Sequence, residues 1–163
     1  LHPLDLNALV TDVLQLYGSE NATVPVAVEL DPRCPPVAGD AQQLRQVVHN
    51  LLQNAQDATE DAARKGQVPA EPVHISTHWS ESSRRVRLTV SDRGSGFAPN
   101  ILQRALEPYV TTKSGGTGLG LAVVKKIADE HGARVDLVNR MENGMVRGAQ
   151  VSLSFAPERA VAL

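Results

Sequence analysis

The sequence predicts an α+β fold, a two-layer α/β sandwich with helices covering one face of a mixed, mostly antiparallel sheet. Three observations lead there. The elements read as helix, strand, long helix, hairpin, long loop, helix and two strands, without the regular strand–helix alternation of a doubly wound sheet. VHISTHW (Val73 to Trp79) and RRVRLTVSD (Arg84 to Asp92) flank the polar SESS, the pattern of an antiparallel hairpin. The chain has 163 residues, 42% of them hydrophobic, enough for one domain with one core.

The first helix is expected from Asp5 to about Tyr17, where Leu6, Leu9, Val10, Val13 and Leu14 recur at helical spacing and Gly18 can end it. From Val24, VPVAVEL alternates as a strand does and is closed by the turn-rich DPRCPPVAGD. Asp40 then opens the strongest helix. As N-cap, with Gln43 three residues on, it has a capping-box arrangement. Leu44, Val47, Val48, Leu51, Leu52, Ala55 and Ala58 follow at helical spacing, until Gly66 and Pro69 break the pattern. After the hairpin, the chain from Arg93 to Gly118 is rich in Gly, Pro, Ser and Thr, with room for one short helix after Pro99. A loop of this length inside a compact domain is usually functional or disordered. A helix from Gly118 to His131 follows, with Gly132 as a natural C′ residue. Two strands, near ARVDLVN and AQVSLSF, complete the fold.

The bulk numbers exclude several classes. A formal net charge of -2 without a Lys/Arg run argues against nucleic acid or a membrane surface as partner. An aromatic content of 3% supplies no stacking platform for single strands. No apolar run approaches the roughly 20 residues of a transmembrane helix. Cys34 is the only cysteine, so no internal disulfide forms, and a reducing, cytoplasmic location is expected. A start at Leu1 without a signal peptide is expected of a fragment of a longer protein.

Three constellations carry chemistry. On the Asp40 helix, Gln46, Asn50, Asn54 and Asp57 form one polar stripe that borders the apolar stripe instead of opposing it. Solvated boundary residues would give the same row. Yet asparagine is a poor helix-interior residue, and a neutral amide oxygen at a core edge suits Mg²⁺ already bound to phosphates. The second is SDRGSGF, where Asp92 ends a strand and Gly94 and Gly96 follow. It reads either as a simple reversal or as an acceptor carboxylate for an exocyclic amine, with room for a flat ring against the backbone. The third is SGGTGLGLAVVKKI (Ser114 to Ile127), in which Gly116, Gly118 and Gly120 feed a helix start. A hinge would use glycines too, but free N–H groups at the positive end of a helix dipole favour a phosphate. Lys125 and Lys126 read as solvated surface.

In this order and at these distances, the motifs resemble the ATP-binding catalytic domain of histidine protein kinases, within the superfamily shared with gyrase, Hsp90 and MutL ATPases. The resemblance covers nearly the whole chain. QVVHNLLQNAQDA (Gln46 to Ala58) resembles the N box, DRGSG (Asp92 to Gly96) the G1 box and GTGLGL (Gly116 to Leu121) the G2 box. EPYVTTK (Glu107 to Lys113) sits where the family has its F box, and GAQVSLSF (Gly148 to Phe155) is similar to its last glycine-containing strand. EPYVTTK, GTGLGLAVVKKI and RGAQVSLSF together look most like the nitrogen-regulatory, NtrY-type sensor kinases.

The resemblance implies a Bergerat-type sandwich with a mobile ATP lid at about residues 93–117. It implies one catalytic domain over residues 1–163, of which 1–4 are the remnant of a linker to a dimerisation domain. ATP and Mg²⁺ are the implied cofactors. In the parent protein, the γ-phosphate would pass to a histidine on the dimerisation domain and then to a response-regulator aspartate. Asp92 would accept a hydrogen bond from the adenine amino group, and Gly94 and Gly96 would shape the adenine pocket. Asn54 would ligate Mg²⁺, with Asn50 beside it as the second catalytic residue and Asp57 on the same nucleotide-facing stripe. Gly116, Thr117, Gly118, Leu119 and Gly120 would meet the phosphates, and Lys113 would be a counter-charge.

Asn50 occupies the position where hydrolytic relatives carry a water-activating glutamate. An asparagine is no general base, so vigorous ATP hydrolysis is not expected, whereas phosphoryl transfer rests mainly on positioning and charge stabilisation. The sequence departs from the family at Ala149, where many relatives carry a small hydroxyl residue, and at Thr111, where many sensor kinases carry arginine. The helical hairpin with the phosphoacceptor histidine is missing. None of His2, His49, His74, His78 and His131 is expected to be phosphorylated efficiently, and a monomer is expected. Two rivals stand beside this reading, an ATP-hydrolysing member of the superfamily and a degenerate interaction module.

Overall fold

The computed structural model describes residues 1–17, 25–66, 72–94, 96 and 117–157. The elements are β1 (His2–Leu4), α1 (Leu6–Tyr17), β2 (Val26–Glu29), β3 (Val37–Gly39), α2 (Ala41–Arg64), β4 (Val73–Ser80), β5 (Arg85–Ser91), α3 (Thr117–Glu130), β6 (Arg134–Glu142) and β7 (Met145–Phe155). The main sheet has the order β2-β4-β5-β7-β6. Among the described strands of this sheet, only the β2–β4 pair is parallel; the others are antiparallel. This is the predicted mixed, mostly antiparallel sheet.

Alternation along the strands decides which face is covered. Val73, Ile75 and Trp79 of β4, Val86, Leu88 and Val90 of β5, and Val151, Leu153 and Phe155 of β7 all point into one core. The apolar stripes of the three helices close over them, including Leu9 and Val10 of α1, Val48, Leu51 and Leu52 of α2, and Val124 and Ile127 of α3. On the other face His74, His78 and Arg87 are exposed. Lys125, which pairs with Asp129 one turn on, and the exposed Lys126 are surface residues.

Several boundaries differ from the sequence reading. The DPRCPPVAGD segment, expected only to turn, contains β3, and β3 pairs antiparallel with β1 (His2↔Gly39). Three of the first four residues thus form a strand. The capping box forms by half. Asp40 Oδ1 accepts from the Gln43 N–H at 3.0 Å, but the Gln43 side chain turns away to Glu130 (3.0 Å), and the Asp40 N–H donates to His131 Nε2 (3.0 Å). A tertiary partner has replaced the local one. The last two strands run past their expected ends and meet at Asn143–Gly144, both with positive φ (54° and 77°), a pairing suited to a tight hairpin turn. The short helix after Pro99 lies outside the described residues.

A polar knot fixes the end of the sandwich far from the glycine-rich segments. Asp31, between β2 and β3, accepts from Arg33 and from the Trp79 N–H (2.9 Å), while its own N–H donates to Thr77 Oγ1 (3.0 Å). Thr77 in turn donates to Asn7 of α1 (2.6 Å). Hydrogen bonds from Arg33, then from the backbone of Trp79 and of Arg33 itself, hold the Asp31 carboxyl well below its ordinary 3.8. A depressed carboxyl contributes stability that is present above the ordinary value and is lost as pH falls beneath it. Asp31→Asn is therefore expected to melt below the wild type at neutral pH, with the gap closing as the pH drops under 3.8. Parallel thermal melts down to acid pH check this. A gap independent of pH would contradict the assignment. Neighbouring Cys34 has its thiol pushed up, chiefly by burial, so it is no activated nucleophile.

Candidate functional site

Asp92, expected as the last residue of the strand, is the first residue beyond β5, which ends at Ser91. It is 6% exposed, and a buried carboxylate must be held by donors. Its N–H donates to the Ala149 carbonyl (3.0 Å), and its Oδ1 accepts from the N–H groups of Gly94 (2.8 Å) and Ala149 (3.3 Å). Ala149 lacks the hydroxyl of many relatives, yet its backbone meets the carboxylate directly. The Asp92 carbonyl accepts from Arg140 Nη1 (3.2 Å). Behind it lies Gly148, with φ 146°. A Cβ there would fall on the Asp92 carbonyl oxygen and 2.9 Å from Arg93 Cα, so the chain reverses at Asp92 only because position 148 has no side chain.

The next contact brings the second constellation to the first. A Cβ at Gly94 would lie 2.7 Å from the carbonyl oxygen of Ala58 on α2. The loop after Asp92 therefore rests on the α2 backbone one turn beyond Asn54. Asn50, Asn54 and Asp57 are all half-buried along this edge. Asp57 accepts from Gln53 (3.0 Å). Asn54 is different: its Nδ2 is buried and has no hydrogen-bond partner among the described residues. A half-turn of the amide would present Oδ1 at the same place. Gly96 sits against Val146 and Asn139 of the β6–β7 hairpin.

The third constellation arrives through helix packing. The Gln43–Glu130 and Asp40–His131 bonds set the start of α2 beside the end of α3. Because Nε2 accepts from Asp40, His131 is the Nδ1–H tautomer, and Nδ1 donates to the Ile127 carbonyl (2.8 Å). The two helices pack together. With 14 residues, α3 is about 20 Å long, so its N-terminus returns to the Asn54 level of α2. Thr117, Gly118, Leu119 and Gly120 form its first turn, where backbone N–H groups have no intrahelical acceptor. Gly116, Lys113 and most of the expected lid lie outside the described residues.

Sequence reasoning missed Arg140 and the role of Gly148. For Gly148 there was a signal, its place at the head of GAQVSLSF. Arg140 gave none. Among the described residues no group of three or more His, Cys, Asp or Glu side chains could hold a metal ion. A single neutral amide fits a cation that arrives with most of its oxygen ligands from phosphates and water. Among the described residues, no helix is long and apolar enough to cross a membrane.

The profile of the histidine kinase-, DNA gyrase B- and HSP90-like ATPase family matches residues 39–159. A putative sensor histidine kinase, NtrY-like, from Rickettsia bellii is 41% identical over 107 residues, 66% of this chain, and the chain spans 16% of that relative's length. Among solved structures, the catalytic domain of the histidine kinase ThkA superposes with a TM-score of 0.75 at 26% identity, covering 95% of this chain and 94% of that one. Full-length ShkA in complex with AMPPNP gives a TM-score of 0.75 at 28% identity, covering 98% of this chain and 32% of that one.

Proposed function

We propose that this chain, which belongs to the histidine kinase-, DNA gyrase B- and HSP90-like ATPase family, holds ATP with Mg²⁺ and presents its γ-phosphate to a histidine on an adjacent dimerisation domain of a sensor kinase. The observation that carries this reading is the buried Asp92 carboxylate, held by two backbone N–H groups where the loop returns to α2. Such a carboxylate suits the exocyclic amine of adenine. The complex of ShkA with AMPPNP, an ATP analogue, supports the choice of ligand.

Each group has a separate part in this reading. Asp92 and the loop through Gly94 and Gly96 orient the base. The first turn of α3, with Gly116 and Lys113 ahead of it, meets the phosphates through backbone N–H groups and the helix dipole. Asn54 Oδ1 is the protein ligand for Mg²⁺, and Asn50 and Asp57 flank it. When bound, the ion supplies charge neutralisation across the phosphates. Asn50 accepts no proton from water, so the site orients ATP for transfer more than it hydrolyses it. The response regulator receives the phosphate at a later step; the domain works in the cytoplasm, and as an isolated fragment it is a monomer, since dimerisation belongs to the adjacent domain.

Calorimetric titration of ATP with Mg²⁺ into the chain and into Asp92→Asn tests this. Saturable binding is expected, weakened about tenfold or more by the substitution, roughly 1.4 kcal/mol. A folded wild type that binds no adenine nucleotide would favour an interaction module instead.

A further inference from the structure

Asp92 sits at a junction that the β5–β7 ladder alone does not hold. Its N–H and its carboxylate are tied to Ala149, but its carbonyl and the chain beyond it leave the sheet. At this point the neighbouring hairpin is irregular. Asn139 pairs with Ala149 and Met141 with Val146, so two steps along β6 face three along β7. A bulge of this kind re-aims side chains and is common beside active sites. Arg140 is the β6 residue that faces the two bulged residues, Arg147 and Gly148; it is half-buried, and its Nη1 donates to the Asp92 carbonyl at 3.2 Å. The following residue, Arg93, pairs with Glu142 on the same hairpin. The latter side chains are 32% and 53% exposed, so that ion pair contributes little. The bond from Arg140 is the tie that reaches Asp92 itself.

We infer that Arg140 is a positioning residue for nucleotide selectivity: from the bulge it holds the Asp92 carbonyl, and so fixes where the Asp92 carboxylate meets the base. This rests on the ATP reading above. A carboxylate recognises an amine only within hydrogen-bond distance and angle, and the interaction weakens steeply outside them. Loss of Arg140 therefore acts on the one contact that distinguishes adenine from a purine without its amino group. A purely structural arginine would act on all purine nucleotides alike.

The test compares ATP with purine riboside triphosphate, which lacks the 6-amino group, by calorimetry on the wild type, Arg140→Gln and Arg140→Lys. The wild type is expected to prefer ATP by about tenfold or more, the value of one hydrogen bond to a charged acceptor. In Arg140→Gln the preference is expected to fall below about threefold, through weaker ATP binding and unchanged analogue binding. Arg140→Lys, which keeps a charged donor, is expected to restore most of it. Should Arg140→Gln fail to fold in a thermal melt, Arg140→Met keeps the aliphatic stem and carries the same comparison. Equal weakening of both ligands, or an unchanged preference, overturns the inference while leaving the ATP reading intact. A wild type that binds neither ligand, or binds both equally, overturns that reading and this inference with it.

Discussion

Gly148→Ala is expected to lower the melting temperature by roughly 10 °C and to weaken nucleotide binding with it. At φ 146° any other residue is strained, by roughly 1–3 kcal/mol. The new methyl would also collide with the Asp92 carbonyl and approach Arg93 Cα to 2.9 Å. Both obstacles are backbone, so no side chain can rotate aside, and overpacking of this kind adds roughly 1–3 kcal/mol. For a domain of this size each kcal/mol moves the midpoint by about 2–4 °C. Relief by shifting the loop would break the Asp92–Ala149 pair and displace the carboxylate. Gly132→Ala is the control. Its φ is 64°, but nothing lies within 4 Å of a Cβ there, so it carries strain without collision and a smaller drop, on the order of 1 kcal/mol. Equal melting temperatures for the two variants would show that the close approach at Gly148 does not matter.

The contrast between those two glycines also marks what a sequence can reveal. The long apolar stripe of α2 and the strict alternation in β4 and β5 report burial directly, because each residue's face follows from its own element's period. The layered fold was therefore legible. β1 and β3, of three residues each, were not, since such short strands exist through pairing with one another and carry no period of their own. The capping box at Asp40 was legible as a local rule and lost to a partner 91 residues away. The site divides in the same way. Asp92 and the α2 stripe stood out by residue type and spacing, while the bonds to Asp92 from Ala149 and Arg140 span 57 and 48 residues and follow from no local pattern. The Asn143–Gly144 pair could have announced the last hairpin by its turn chemistry, and it would have placed both strand ends closer to where they lie.

Asn54→Leu is expected to separate stability from function. An unpartnered buried donor costs roughly 1–3 kcal/mol relative to a satisfied one, and Asn54 Nδ2 is such a donor among the described residues. Leucine has a similar shape and no polar atom, so the variant is expected to melt about 2–4 °C above the wild type, a gain near 1 kcal/mol. Natural proteins keep such a defect where a ligand later repairs it, and the trade of stability for activity is common at functional sites. In the proposed site the repair is ligation of Mg²⁺ through the amide oxygen. Leucine cannot ligate, so the increment that Mg²⁺ adds to ATP affinity is expected to vanish, while adenosine binding is unchanged. Phosphoryl transfer by the parent kinase is expected to fall roughly 100-fold or more, since the metal contributes several kcal/mol of charge stabilisation. Melting curves and paired titrations with and without Mg²⁺ measure both halves. A variant less stable than the wild type would mean that the amide is already satisfied in the free protein. A stabilised variant that keeps its Mg²⁺ response would bear out the unpartnered amide but remove Asn54 from the metal site.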